Sequence, residues 1–208
     1  MNRCLYDLFL IREKRQHFAE GISIAFDMVR RRMPPGNPAI GILREHVLIG
    51  FFKSEFGSEN VVVPEKGNQR SYDVILCDGE LSIKTLTGDS GFKVLWTVDN
   101  EQVSNEIKSG YQPEHDIFLI NIFWNRCMDS VFYIPLSAQH DVIDDIGRQK
   151  YLSSATGTNN RGISINKQAV TRLKMHSDTL SFAVDWRVKD VDYPDAWDEW
   201  IEFWSNRQ

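Results

Sequence analysis

Residues 71–86 constrain this chain more than any other stretch. Residues 71–77 (SYDVILC) and 80–86 (ELSIKTL) alternate apolar and polar side chains, with Asp78-Gly79 between them. Alternating runs joined by Asp-Gly predict an antiparallel hairpin. In a strand, residues i, i+2 and i+4 share a face. Glu80, Ser82 and Lys84 therefore point one way, and Leu81, Ile83 and Thr85 point the other way, into a core. Asp73, within the first strand, comes within reach of the polar face. The expectation is two carboxylates and an ammonium on adjacent strands.

The flanking sequence alternates helices and strands. Leu5, Leu8, Phe9, Phe18, Ile22 and Phe26 recur at helical spacing over the first 30 residues, with an interruption expected near Gly21. Pro34, Pro35, Gly36 and Pro38 form a loop that no helix crosses. A second helix is expected from Pro38 to Phe56, with Gly57 as its stop. Strands are expected at 61–63, 92–98, 163–165 and 181–188. A second hairpin is expected from 116–125 and 130–136, with 125–129 as its turn. Helices are expected at 100–109, 138–151, 167–174 (capped by Asn166) and 195–204, and a polar loop at 153–161. This order predicts an α/β (α+β) fold, a mixed central sheet flanked by helices. The expected organisation is one domain: an N-terminal helical and loop region (1–39), a core (40–188) and a C-terminal helix (189–208).

Composition narrows the function classes. The 208 residues carry 24 Lys/Arg and 29 Asp/Glu, a net charge of −5. Residues 1–84 hold 12 basic and 11 acidic residues, a net of +1, and the remainder holds 12 and 18, a net of −6. A uniformly basic nucleic-acid coat is excluded, but a local basic surface is not, because phosphate binding follows the local field. Arg30-Arg31-Arg32 is the densest basic run. No apolar run is long enough to span a bilayer, so no membrane role is expected. The N-terminus shows no signal segment, and Cys4, Cys77 and Cys127 lie far apart with no CxxC pair. A cytoplasmic protein with no disulfide framework or zinc ribbon is expected.

The hairpin carries the chemistry. Hydrolysing a phosphodiester calls for a hard cation to neutralise the phosphate, and carboxylate oxygens bind Mg²⁺. A lysine beside it orients the attacking water or stabilises the developing charge. A further acid is available from the preceding helix, where Glu45 stands among apolar neighbours.

Asp73, Ser82-x-Lys84 and the upstream Glu45 resemble the PD-(D/E)xK nuclease superfamily, and in particular its type II restriction endonucleases. Residues 93–99 (KVLWTVD) resemble a strand of several such enzymes. Residues 157–163 (GTNNRGI) resemble their polar, DNA-proximal loop. The resemblance implies a mixed four-stranded core sheet and Mg²⁺-dependent cleavage of double-stranded DNA by a homodimer. It makes Asp73 the first acid, Lys84 the motif lysine and the Ile83 carbonyl an additional metal ligand. Two positions depart from the motif: Tyr72 stands where the family has Pro, and Ser82 where it has Asp or Glu. Glu45 is the first candidate to replace that missing acid and Glu80 the second.

Base reading favours Arg on guanine and Asn or Gln on adenine. The candidate DNA-contacting residues are Asn68, Gln69 and Arg70 in one loop, and Asn159, Asn160 and Arg161 in another. Arg30, Arg31, Arg32 and Met33 form a third group. A basic loop with an apolar tip suits insertion into a base step. Methionine insertion in the CGCG-cutting ThaI-type enzymes is a similar arrangement. The five histidines form no HxH or HExxH pattern, so no zinc site is expected. Trp197, Trp200 and Trp204 make one helical stripe suited to a core or a dimer interface. Two rivals share these residues. One is a repair, recombination or toxin nuclease with the same core. The other is a non-catalytic DNA-binding module, which the non-acidic Ser82 keeps open.

Overall fold

The computed structural model describes residues 2–34, 36–37, 39–64, 72–95, 108–154, 162–187 and Ser205. Helix α1 (Arg3–Leu10) starts at Asn2, whose side chain accepts the N–H groups of Cys4 and Leu5. Helix α2 (Arg12–Arg32) follows after a single extended residue, Ile11. The break therefore falls at Ile11, and Gly21 lies inside α2. The reason is phase. On one continuous helix the stripe of Leu5, Leu8 and Phe9 would sit roughly a quarter turn from that of Phe18, Ile22 and Phe26. A break lets both reach the same core. Helix α3 (Ala39–Phe56) ends at Gly57, whose φ of 89° stops it.

Among the described residues, nine strands build two sheets. Strands β1 (Val61–Val62), β2 (Val74–Leu76), β3 (Gly79–Thr87), β5 (Asp116–Ile122), β6 (Cys127–Ile134) and β9 (Leu180–Asp185) form a six-stranded sheet in the order β1-β2-β3-β5-β6-β9. Among the described strands of this sheet only the central β3–β5 pair is parallel, with Ile83 opposite Phe118. A three-stranded antiparallel sheet joins β4 (Phe92–Leu95), β8 (Ile163–Ile165) and β7 (Leu152–Ser154). Helices α4 (Leu136–Ile146), α5 (Arg148–Tyr151) and α6 (Lys167–Met175) complete the fold. Residues 152–154 are thus strand and not loop, and the expected 138–151 helix is two helices, parted by Gly147 at φ 78°. Asn166 caps α6 through the Ala169 N–H, as expected.

Both faces of the large sheet are buried. Leu81, Ile83, Phe118 and Ile120 pack with α1, α2 and α3 around Phe9, Phe18, Phe26 and Phe52. The alternate residues Leu86, Ile117 and Leu119 pack with α4, α6 and the small sheet. The period of two along β3 and β5 places the site between these cores. Asn121 interrupts the apolar run of β5 yet is fully buried. It donates to the Gly88 carbonyl at 2.8 Å and accepts from Lys174 Nζ at 2.6 Å.

Two turns are displaced from where their sequences predict them. Leu76 pairs with Gly79, so the 71–86 hairpin turns at Cys77-Asp78 and Gly79 already belongs to β3. Cys77 takes the positive φ, 56°. Its N–H donates to Asn60 O at 2.7 Å, which anchors the turn. Gly79 serves close approach, because a Cβ there would meet Asn2 Nδ2 at 2.9 Å. The second hairpin turns within 123–126, with Asn125 at φ 66°. Cys77 is also joined to Cys4 in a disulfide, with Cα atoms 6.3 Å apart. This corrects the expectation of unpaired cysteines: spacing along the chain is silent on pairing across 73 residues. Cys127 is a free, exposed thiol. No helix among the described residues is long and apolar enough to cross a membrane.

Candidate active site

Asp73 lies just before β2, one residue short of the strand expected to contain it. Its N–H donates to Leu81 O at 3.0 Å, which extends the hairpin ladder by one bond. Its Oδ2 then collects three donors from β3: Ser82 Oγ at 3.1 Å, Ile83 N at 2.6 Å and Lys84 Nζ at 3.0 Å. These bonds hold the carboxylate against the middle of β3. Lys84 and Asp73 are 21% and 27% exposed, so the pair is shielded but reachable from solvent.

Main-chain groups of alternate strand residues face the same neighbour. Leu81 and Ile83 both face β2. At Ile83 that strand has not yet begun, and the Ile83 carbonyl therefore looks onto the open edge that holds Asp73. Asp73 Oδ1 accepts no hydrogen bond among the described residues.

Glu45, in the first half of α3, is half-buried. Burial raises its carboxyl above the usual range, and the charge of Asp73 raises it further. Lys84 and His46 pull it back down. Glu45 therefore belongs to the same electrostatic cluster as Asp73 and Lys84. Two carboxylates against one ammonium leave excess negative charge in a partly desolvated place. That donor set, with the Ile83 carbonyl beside it, fits a hard divalent cation.

Ser82 keeps the expected face but is buried there, and Glu80 leaves it. Ser82 is only 7% exposed, and its hydroxyl serves Asp73. Glu80 turns away to His115, with Oε2 3.1 Å from Nδ1. His115 in turn stacks edge-on against Tyr72, ring centroids 5.3 Å apart. The aromatic residue in the motif's Pro position thus joins a Tyr72–His115–Glu80 cluster at the base of the hairpin. No sequence signal marks this cluster, because His115 is 35 positions from Glu80 and meets it only through the parallel β3–β5 pairing.

The family model described as Restriction endonuclease ThaI matches residues 23–206. The chain belongs to the ThaI restriction endonuclease family. It is accordingly a type II site-specific deoxyribonuclease. A solved structure described as a restriction endonuclease in complex with substrate DNA matches with a TM-score of 0.82 and 29% identity, over 97% of this chain and 99% of that one. No curated protein matches the chain.

For this ThaI-family member the remaining candidates divide by position. Arg30 and Arg31 at the end of α2 are engaged by Asp27, at 2.6 Å and 2.9 Å. Burial works against the Asp27 charge, but hydrogen bonds from Arg31 and Arg30 outweigh it and hold the carboxyl below its usual range. The Arg30 guanidinium also lies 4.4 Å over the Trp124 ring. Arg30 and Arg31 are therefore built into the fold, at the end of the sheet that also carries Thr87. Met33 ends α2 in extended backbone, with its sulfur 3.7 Å from Asn37 Nδ2. Asn68, Gln69, Arg70, Asn159, Asn160 and Arg161 lie outside the described residues, as do Trp197, Trp200 and Trp204.

Asp141, His176 and Asp178 also bring ligand atoms within 4.8 Å of one another. His176 Nδ1 accepts the Asp178 N–H at 3.2 Å, and its Nε2 lies 3.4 Å from Asp141.

Proposed function

We propose that this restriction endonuclease is Mg²⁺-dependent and cuts double-stranded DNA at the Glu45–Asp73–Lys84 cluster. One observation carries the reading: Asp73 draws Ser82, Ile83 and Lys84 onto a single oxygen, with Glu45 in the same field. Asp73, Glu45 and the Ile83 carbonyl would hold the cation. When bound, Mg²⁺ supplies charge neutralisation on the scissile phosphate and makes a nearby water more acidic.

The chain's own groups do the rest. Ser82 and the Ile83 N–H fix the Asp73 carboxylate, so that one oxygen faces outward. The Lys84 ammonium, anchored at 3.0 Å on Asp73, holds the attacking water in place and stabilises the charge that builds on the phosphate. Glu45 takes the role of the motif's second acid, which Ser82 lacks the charge to fill. Glu80, tied to His115, does not compete for that role.

The reading extends to recognition and assembly. Arg32, Met33 and the loops holding Asn68, Gln69, Arg70, Asn159, Asn160 and Arg161 would contact the duplex, and Arg30 and Arg31 would shape that end of the molecule. A homodimer would set two sites on opposite strands, since two-fold protein symmetry matches a palindromic target. Its expected location is the cytoplasm. Residues 1–39 would form a DNA-contacting region beside the 40–188 core, with 189–208 as a C-terminal helix.

The test is digestion of unmethylated plasmid and phage DNA in Mg²⁺ and in EDTA, beside Lys84→Ala. Discrete Mg²⁺-dependent fragments, lost in the variant, are expected. DNA binding without cleavage across several divalent metals would sink the proposal. Met33→Ala with unchanged DNA affinity and cleavage would remove the insertion role.

A further inference from the structure

Arg44, the residue before Glu45, is a buried charge that the mechanism above does not use. It is 8% exposed. Its Nη1 donates to Thr87 Oγ1 at 3.3 Å, and its guanidinium carbon lies 5.5 Å over the Phe26 ring. Its Nε is buried with no hydrogen-bond partner, and no carboxylate among the described residues pairs with it. Such an arrangement is poor for stability. A buried charge lacking an ionic partner costs free energy, and apolar side chains of similar volume often replace buried ionic groups with no loss.

The partners show what the position achieves. Phe26 belongs to α2 and Thr87 to the end of β3, so Arg44 ties α3 to both at once. β3 carries Ile83 and Lys84, and α3 carries Glu45. We infer that Arg44 is a positioning residue that sets the register of α3 on β3 and thereby places the Glu45 carboxylate beside Asp73. This rests on the reading of Glu45 as a metal-holding acid. A shift of about 1 Å between helix and strand is enough to weaken such a site substantially.

The test compares Arg44→Met, Arg44→Lys and Thr87→Val with Glu45→Gln. Three quantities are read: the melting temperature without metal, its rise on adding Mg²⁺, and the Mg²⁺ concentration for half-maximal cleavage. The expected result is an Arg44→Met protein that melts at or above the wild-type temperature. It should need roughly tenfold more Mg²⁺ or beyond and show a smaller Mg²⁺-induced rise. Its cleavage should recover at saturating Mg²⁺. Arg44→Lys, which keeps a donor for Thr87, should retain more of the Mg²⁺ response. In the Glu45→Gln background, Arg44→Met should add nothing.

An Arg44→Met protein with wild-type Mg²⁺ dependence overturns the inference. So does a fall in cleavage that follows melting temperature and is not recovered by Mg²⁺. If Arg44→Met does not fold, Thr87→Val decides by the same readouts. The two readings separate cleanly. Glu45→Gln with an unchanged Mg²⁺ response removes the role of Glu45. A Glu45→Gln loss without an Arg44 or Thr87 effect removes the role of Arg44 alone.

Discussion

Asp73→Asn should separate catalysis from folding. The substitution exchanges one oxygen for an NH₂ group and removes one charge. An asparagine that places its carbonyl oxygen where Oδ2 now lies keeps the Ser82 and Ile83 hydrogen bonds in neutral form. The Lys84 ammonium can still donate to that oxygen, but the bond, made between side chains that are 21% and 27% exposed, loses its ionic component. Charged hydrogen bonds contribute about 1.5–3 kcal/mol and neutral ones about 1 kcal/mol, so the exchange costs on the order of 1 kcal/mol. Relief of the repulsion on Glu45 offsets part of that. For a chain of this length the melting temperature should fall by about 2–4 °C. Catalysis should suffer far more. The charge stabilisation lost with a metal ligand is worth several kcal/mol, and about 4 kcal/mol corresponds to roughly a thousandfold in rate. Initial rates on supercoiled plasmid, thermal melts and DNA affinity in EDTA would be measured together. Cleavage within about tenfold of wild type would refute the role of Asp73. A melting temperature lowered by more than about 10 °C would show instead that the carboxylate is a structural brace.

Two further predictions concern pH. Glu45 is raised above 4.5 by burial and then by Asp73, so its contribution to stability is present below 4.5 and lost as pH rises through its folded value. Without metal, Glu45→Gln should therefore melt higher than wild type at neutral pH and flatten that slope; an unchanged melting profile in EDTA would contradict it. Asp27 is held below 3.8, so its contribution is present above 3.8 and lost as pH falls through its folded value. Asp27→Asn should cost about 2 kcal/mol at neutral pH and weaken the acid dependence, checked by urea titration at several pH values. Phe52 is fully buried, with its ring 5.5 Å from that of Phe118. Phe52→Ala should cost about 3–5 kcal/mol in the same titration, and a loss under about 1 kcal/mol would mean this core is loosely filled.

Much of the fold and the meeting of Asp73 with Lys84 were legible because they rest on local rules. The alternation in 71–86 predicted the hairpin, and the order of elements predicted a mixed sheet flanked by helices. What failed locally did so for nameable reasons. Gly21 looked like a break, but the phase between Leu5–Phe9 and Phe18–Phe26 sets it at Ile11. Asp78-Gly79 looked like the turn, but Cys77, anchored by Asn60, takes the positive φ and Gly79 makes room for Asn2. Features built from distant residues left no local trace. Glu80 meets His115, and Cys4 meets Cys77, only because the sheet and α1 bring them together. Arg44 likewise meets Thr87 and Phe26 only through the packing of α3 on α2 and β3.

The mismatch between β2 and β3 has a wider consequence. β2 is three residues long and β3 is nine. A chain that lengthened β2 backwards by two residues would continue the ladder past Asp73 and give the Ile83 N–H and carbonyl backbone partners in place of the Asp73 side chain and the open edge. On the proposed reading, such a protein would be tidier as a sheet but would lose the open Ile83 carbonyl that the cation site uses. On that reading, metal binding depends on where a strand stops as well as on which side chains it carries. Inactive descendants of it could arise without a single substitution at Asp73, Lys84 or Glu45.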